Sequence, residues 1–200
     1  DVVIADQVYQ ITGEGYAPAG GILRNGQTLA AGADPLLTAF ARAAYWCNDA
    51  RLHEQEGQWC TEGDPMEGAL LALAGKISGQ GGQAFGGHTR LDAVPFDAAH
   101  RYMAVLSLDS DGLPHIYVKG APEALLAMCA QQRTPEGNAP LDADYWLQQV
   151  EKLAEKGRRV LAVAERAAAA GQTALSSADI AQSLQFIGLV GLIDPPRAEA

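Results

Sequence analysis

Ile116-Tyr117-Val118-Lys119-Gly120-Ala121-Pro122-Glu123 is an apolar, β-branched run that stops at a lysine and a glycine and passes at once into a helix start. Proline is pre-set for the first helical turn and lacks the N–H that would go unpaired there, so Ala121, Pro122 and Glu123 mark the junction. Free backbone N–H groups and the positive end of a helix dipole would gather there beside an ammonium group held by a strand, which suits a phosphorylated ligand. Gly120 would let a ligand approach the backbone closely, and Lys119 supplies a compact cation able to sit over a base or near phosphates. Taken alone, the stretch also reads as an ordinary strand-to-helix connection ending in a solvated lysine, and its surroundings decide between the two.

Working outward, Arg90 to Asp97 and Arg101 to Leu108 read as strands, and Asp111-Gly112 is a turn leading into the strand that ends at Lys119. These runs form an antiparallel set. Downstream, residues 122–131 read as a helix carrying Leu125, Leu126 and Met128, and 134–141 as a polar loop with two prolines. Trp146, Val150 and Leu153 then line one helical face until Gly157, after which Arg158 to Ala164 is a strand. An alanine-rich surface segment and an apolar strand from Ser183 to Ile193 follow, and the latter meets Asp194-Pro195-Pro196-Arg197, a stiff extended exit.

Upstream, Val2 to Thr12 is β-rich and runs into a Gly- and Pro-rich loop reaching Gly32, so the chain is expected to start in mid-structure. Asp34-Pro35 and Asp64-Pro65 each pair a helix cap with a first-turn proline, and Arg51 to Thr61 alternates around Gly57 as a hairpin does. Residues 78–87 read as a flexible Gly-rich loop with no need for a packed core. Strands mixed with helices without regular βαβ alternation predict an α+β fold: a mostly antiparallel sheet flanked by helices.

Composition narrows the function. The 200 residues are 48% apolar and 19% charged, ordinary for a folded soluble protein. Fourteen basic residues against 24 acidic ones give a net charge of −10, which excludes a general nucleic-acid or anionic-membrane binder, because phosphate backbones demand a basic face. The longest apolar run, 186–193, falls far short of the roughly 20 residues a bilayer span requires. Neither does the start of the chain carry a basic, signal-like segment. Cys47, Cys60 and Cys129 are an odd number without Cys-x-x-Cys spacing, as for reduced thiols in cytosol.

Four segments stand in one order: Gly63-Asp64-Pro65-Met66-Glu67-Gly68-Ala69-Leu70; Pro95-Phe96-Asp97 with Met103-Ala104-Val105; Val118-Lys119-Gly120-Ala121-Pro122-Glu123; and Gly188-Leu189-Val190-Gly191 through Asp194-Pro195-Pro196-Arg197. Each is weak alone, but the ordered set resembles the nucleotide-binding domain of P-type cation-transporting ATPases, closest to the calcium-pump-like branch. Ile11-Thr12-Gly13 with Tyr16-Ala17-Pro18 also resembles that branch, so the likeness covers nearly the whole chain. The family's phosphorylated-aspartate motif, Asp-Lys-Thr-Gly-Thr, does not occur in these 200 residues. The resemblance therefore implies an excised domain: residues 1–193 as the nucleotide-binding domain, and 194–200 as the hinge returning to a phosphorylation domain.

The same resemblance implies roles. Phe96 matches the adenine-stacking aromatic, worth roughly 1 to 3 kcal/mol by analogy with base stacking on single strands. Lys119 matches the pocket lysine, Gly120 its close-approach neighbour, and Met103 a pocket-floor methionine. Arg159 matches an arginine on the phosphate or ribose side, with Arg158 able to exchange roles. Glu67 matches an acid beside the adenine amino group, although Asp64-x-x-Glu67 is also a capping-box pattern serving only its own helix. Met66 stands where many pumps have Thr, and Ala98 where several have a phosphate-reaching arginine, which leaves two alternatives: nearby Arg101 substitutes, or phosphate contacts are thinner.

On this reading the ligand is ATP, as Mg-ATP in the full pump. The partners are the phosphorylation and actuator domains of one membrane-embedded pump, with this domain on the cytoplasmic side. The domain would hold adenosine and deliver the γ-phosphate to an aspartate elsewhere, so the fragment is expected to bind ATP without efficient hydrolysis. The alternative is a nucleotide-insensitive regulatory or interaction module on the same fold, suggested by Met66 and Ala98. Other patterns fail: Gly79-x-Gly81-x-x-Ala84 has no feeding strand, Gly75-Lys76 lacks the earlier glycine of a Walker loop, and His53 with Cys60 or His88 with His100 has no metal-ligand motif.

Overall fold

The computed structural model describes residues 1–81 and 84–193. Among them one large sheet runs in the order β4 (Gln27–Leu29), β3 (Ile22–Arg24), β2 (Gln7–Ile11), β1 (Val2–Ile4), β13 (Leu184–Leu192), β12 (Arg159–Ala167), β9 (Pro114–Gly120), β8 (Tyr102–Leu108), β7 (Thr89–Asp97). Every neighbouring pair on this path is antiparallel, and β10 (Cys129–Thr134) adds a parallel pairing to β13 while forming a hairpin with β11 (Gly137–Pro140). A separate hairpin, β5 (Arg51–Gln55) and β6 (Gln58–Glu62), lies off the sheet. The α+β class expected from the sequence is the class observed.

Helices cover both faces, and the two-residue period of the strands divides the core accordingly. On one face, α1 (Pro35–Trp46) and α2 (Pro65–Ser78) bury Phe40, Ala44, Leu70 and Ile77 against Met103, Val105, Tyr117 and Val163. On the other, α3 (Pro122–Met128) and α4 (Ala143–Glu155) bury Leu125, Leu126, Trp146 and Leu153 against Ala104, Leu106, Ile116, Val118 and Phe186. A short helix, α5 (Ser177–Ile180), also packs on this second face through Ile180. Residues 1 and 191 lie side by side: the Gly191 N–H donates to the Asp1 carbonyl at 2.8 Å, and Val2 pairs with Val190.

Both Asp-Pro helix starts form as expected. Asp34 accepts from the Leu36 and Leu37 N–H groups, and Asp64 from those of Met66 and Glu67. Three expectations change. The loop to Gly32 contains the hairpin of β3 and β4, closed by Asn25-Gly26 with φ of 52° and 76°, the positive values a tight two-residue hairpin turn demands. The helix from Pro122 stops at Met128 rather than at 131, because Cys129 turns extended to pair with Leu184; the polar loop at 134–141 is the turn and return strand of that ribbon. The Gly-rich loop is not free of the core: Ala84 is fully buried, the Phe85 ring meets Tyr45 edge-on at 6.0 Å, and the Phe85 carbonyl accepts the Trp46 indole N–H at 2.7 Å. Asp194, Arg197 and the rest of the 194–200 hinge lie outside the described residues.

Candidate functional site

Register gathers the predicted residues. Met103 on β8 stands directly opposite Lys119 on β9, which stands opposite Val163 on β12. On the other side of β8 the ladder slips between Val94↔Ala104 and Asp97↔Tyr102, so Pro95 and Phe96 together face the single residue Met103. Phe96, Met103 and Lys119 therefore occupy one row across three adjacent strands, about 10 Å from the first backbone to the last at the usual strand spacing. The bulge ends the regular alternation of β7 and leaves Phe96 63% exposed at the rim, while Met103 is buried beneath, in the core under α1 and α2.

Lys119 is 6% exposed, a burial that an ammonium group tolerates only when paired. Its partner comes from α2: Lys119 Nζ donates to Glu67 Oε1 at 2.5 Å, and both side chains are largely buried. Glu67 Oε2 accepts the Asp49 N–H at 3.1 Å, and the Glu67 carbonyl accepts Asn48 Nδ2 at 3.0 Å. The capping-box alternative is thus not realised. Asp64 caps α2, but the Glu67 carboxylate turns away from its own helix start toward the sheet and the Asn48-Asp49 turn. Under the row, Cys47 is fully buried, its thiol donates to the Met103 carbonyl at 3.5 Å, and burial pushes its pKa up to about 11.

Three expectations are displaced. The α3 start is not an anion site beside Lys119. Lys119 shares the α1/α2 face with Tyr117 and Met103, whereas α3 packs on the opposite face with Ile116 and Val118. The Ala121 N–H is moreover spent on the Arg101 carbonyl at 2.9 Å, and Glu123 already sits in the first turn. Gly120 offers no gap to a ligand, because a Cβ there would lie 2.4 Å from the Arg101 carbonyl and 2.7 Å from Tyr102 Cα; the close approach is that of the neighbouring strand. Arg101 holds a left-handed turn at φ 61° and its guanidinium is engaged by Glu123 at 2.5 Å, so it does not point into the row as a replacement for the arginine missing at Ala98.

Arg159 is exposed at the start of β12, four residues from Val163 and on the same face by alternation, roughly 13 Å along the strand from the Lys119 row. Arg158 packs its stem beside Gly191. His53 and Cys60 face each other across the β5–β6 hairpin, whereas His88 stacks on Trp46 and His100 lies against Tyr102. Sequence reading missed Asn48 and Asp49. Their only signal was an Asn-Asp pair between the end of one helical pattern and the start of a hairpin, a place where side chains commonly bond to nearby backbone.

Residues 36–199 match the family model described as P-type ATPase, cytoplasmic domain N. The chain belongs to this family. Among relatives of this N domain, a cation-transporting ATPase, pma1, of Synechocystis sp. is 37% identical over 198 residues, covering 96% of this chain and 22% of the relative. A calcium-transporting ATPase of Bacillus subtilis is 29% identical over 197 residues, with the same two coverages of 96% and 22%. A sodium/potassium exporting P-type ATPase, cta3, of Schizosaccharomyces pombe is 33% identical over 157 residues, 77% of this chain and 15% of the relative. The N domain described here thus spans about a fifth of the length of the first two. Among its described residues no helix is long and apolar enough to cross a membrane.

Proposed function

We propose that this N domain binds ATP by its adenosine end and carries the γ-phosphate to an aspartate on a phosphorylation domain of the same pump. The observation that carries the reading is the row of Phe96, Met103 and Lys119 with Glu67 paired above it. An exposed aromatic offers a stacking surface, a buried ammonium a compact cation, and an ionised carboxylate an acceptor for an amino group. Arg159, farther along the same face, suits the ribose or phosphate end. No residue of the row needs to do covalent chemistry. In-line phosphoryl transfer demands positioning and charge relief, which a carrying domain supplies while the acceptor and the Mg²⁺ that travels with ATP meet elsewhere.

The parent on this reading is a membrane-embedded cation pump with the N domain on its cytoplasmic side, working with phosphorylation and actuator domains. The Bacillus subtilis relative supports the calcium-pump-like branch. Titrating the 200-residue chain with ATP to millimolar concentration, followed by amide NMR, is expected to move resonances around Phe96, Lys119 and Glu67. Lys119→Ala is expected to weaken binding by roughly tenfold or more, as for a lost charge-assisted contact. A flat titration in both forms would favour instead an interaction module that has kept the fold and lost the nucleotide. ATP is expected to survive the titration unhydrolysed.

A further inference from the structure

The Asn48-Asp49 turn is tied both to α2, which supplies Glu67, and to β7, which supplies Phe96. Asn48 Nδ2 donates to the Glu67 carbonyl at 3.0 Å, and Asn48 Oδ1 accepts the Ala50 N–H at 2.9 Å, so one half-buried amide joins the exit of α1, the entry to the β5–β6 hairpin and the first turn of α2. The Asp49 N–H holds Glu67 Oε2 at 3.1 Å. Arg90, at the start of the strand whose far end bears Phe96, reaches the same turn through Asp49 Oδ1 at 2.5 Å and the Asn48 carbonyl at 3.5 Å. None of these contacts is needed to cap α2, which Asp64 already does.

A carboxylate offers about four acceptor sites, and here the Asp49 N–H and Lys119 Nζ occupy one on each oxygen. What remains is an acceptor-only edge whose direction is set by the turn. Such an edge suits the 6-amino group of adenine and opposes the 6-carbonyl of guanine or hypoxanthine, since two acceptors facing each other leave both unpaired. Were the Glu67 side chain loose, it could rotate away from a 6-oxo purine at little cost. Held at Oε2 by the Asp49 N–H and at Oε1 by Lys119, it cannot, and the Asn48 amide fixes the turn that presents the Asp49 N–H by tying it to the α2 backbone.

We infer that Asn48, acting through Glu67, is a positioning residue that sets the preference for a 6-aminopurine, an inference that rests on the nucleotide-binding reading above. The test uses the 200-residue chain with ATP and with inosine triphosphate, whose base carries a carbonyl in place of the amino group and a proton on the neighbouring ring nitrogen. Wild type is expected to favour ATP by about tenfold or more, as for sites built around one polar contact. Asn48→Asp keeps the acceptor for the Ala50 N–H but turns an oxygen toward the Glu67 carbonyl. It is expected to weaken ATP by about tenfold and to leave inosine triphosphate within about twofold, erasing the preference.

Equal weakening of both nucleotides, or an unchanged ratio, overturns the inference while leaving nucleotide binding intact. Binding of neither nucleotide to wild type overturns the underlying reading instead. A measurement on wild type alone stands if Asn48→Asp does not fold. The Asp49 amide resonance, whose proton sits on Glu67 Oε2, is expected to shift with ATP and to stay in place with inosine triphosphate. Identical behaviour with both would also overturn it.

Discussion

At the scale of single residues, burial decides what the reactive groups can do. Cys47 lies under the Lys119 row with its thiol pushed up to about 11, and burial pushes the Cys129 thiol up to about 12. Both are therefore neutral thiols at pH 8, and Cys47 is fully buried as well, whereas Cys129 and Cys60 are both half-buried, Cys60 on the outlying hairpin. Iodoacetamide at pH 8 is expected to label Cys60 first, Cys129 more slowly because its thiolate is suppressed, and Cys47 only in urea, read by mass spectrometry. Rapid native labelling of Cys47 would mean that the floor of the row opens. Lys119 shows how a residue's neighbours can mislead. Its place at a strand end before Pro122 was legible, but its direction depended on a two-residue period counted from Tyr117, and that count sends it away from the helix it precedes.

At the scale of elements, the β3–β4 hairpin hangs on Asn25-Gly26. A Cβ at Gly26 would meet nothing within 4 Å, so a substitution there tests the backbone alone. Gly26→Val must hold a branched side chain at φ 76° and is expected to cost about 1–2 kcal/mol, while Gly26→Asn costs less, as read by urea midpoints. The hairpin was readable from its Asn-Gly pair. Its three-residue strands, however, are too short to show alternation against the surrounding glycines and prolines. The β10–β11 ribbon escaped for another reason: Gln131, Gln132 and Arg133 carry no apolar period, and what makes them a strand is the edge of β13, a partner about fifty residues away. Helix starts and the central antiparallel strands, by contrast, rest on local chemistry, the Asp-Pro caps and β-branched runs, and these emerged where the sequence placed them.

Across the whole molecule, charge is not spread evenly between surface and interior. Glu165 is 1% exposed and faces Arg133 at 2.9 Å and His115 at 3.4 Å, close contacts whose angles fall short of aligned hydrogen bonds. Burial pushes its carboxyl up, but the contact with His115 and the nearby Arg133 and Arg42 more than offset this and hold it below its usual value. Asp92, which accepts the Leu175 and Ala93 N–H groups, and Asp179, bonded to Ser176, are held low as well. Because the folded values are the lower ones, these groups contribute stability above the unfolded carboxylate range that is lost as pH falls through the folded values. Unfolding free energy is thus expected to decline from about pH 4 downward. Arg133→Met, which leaves the buried Glu165 short of its nearest cation, is expected to cost about 3 kcal/mol at pH 7. Chemical denaturation across pH 3–7 checks both.

The pairing of β1 with β13 has a mechanical side. Residue 1 and residue 191 face each other at the same end of that ladder, so a force that draws the two apart loads its hydrogen bonds one after another, like a zip, rather than all at once in shear. Tension transmitted through these two strands would peel β1 away first and leave the β7–β9 row untouched. Thrust, or rotation about the paired ends, would carry the sheet as a rigid paddle. On the nucleotide-binding function proposed above, a ligand on that paddle would be moved without being squeezed.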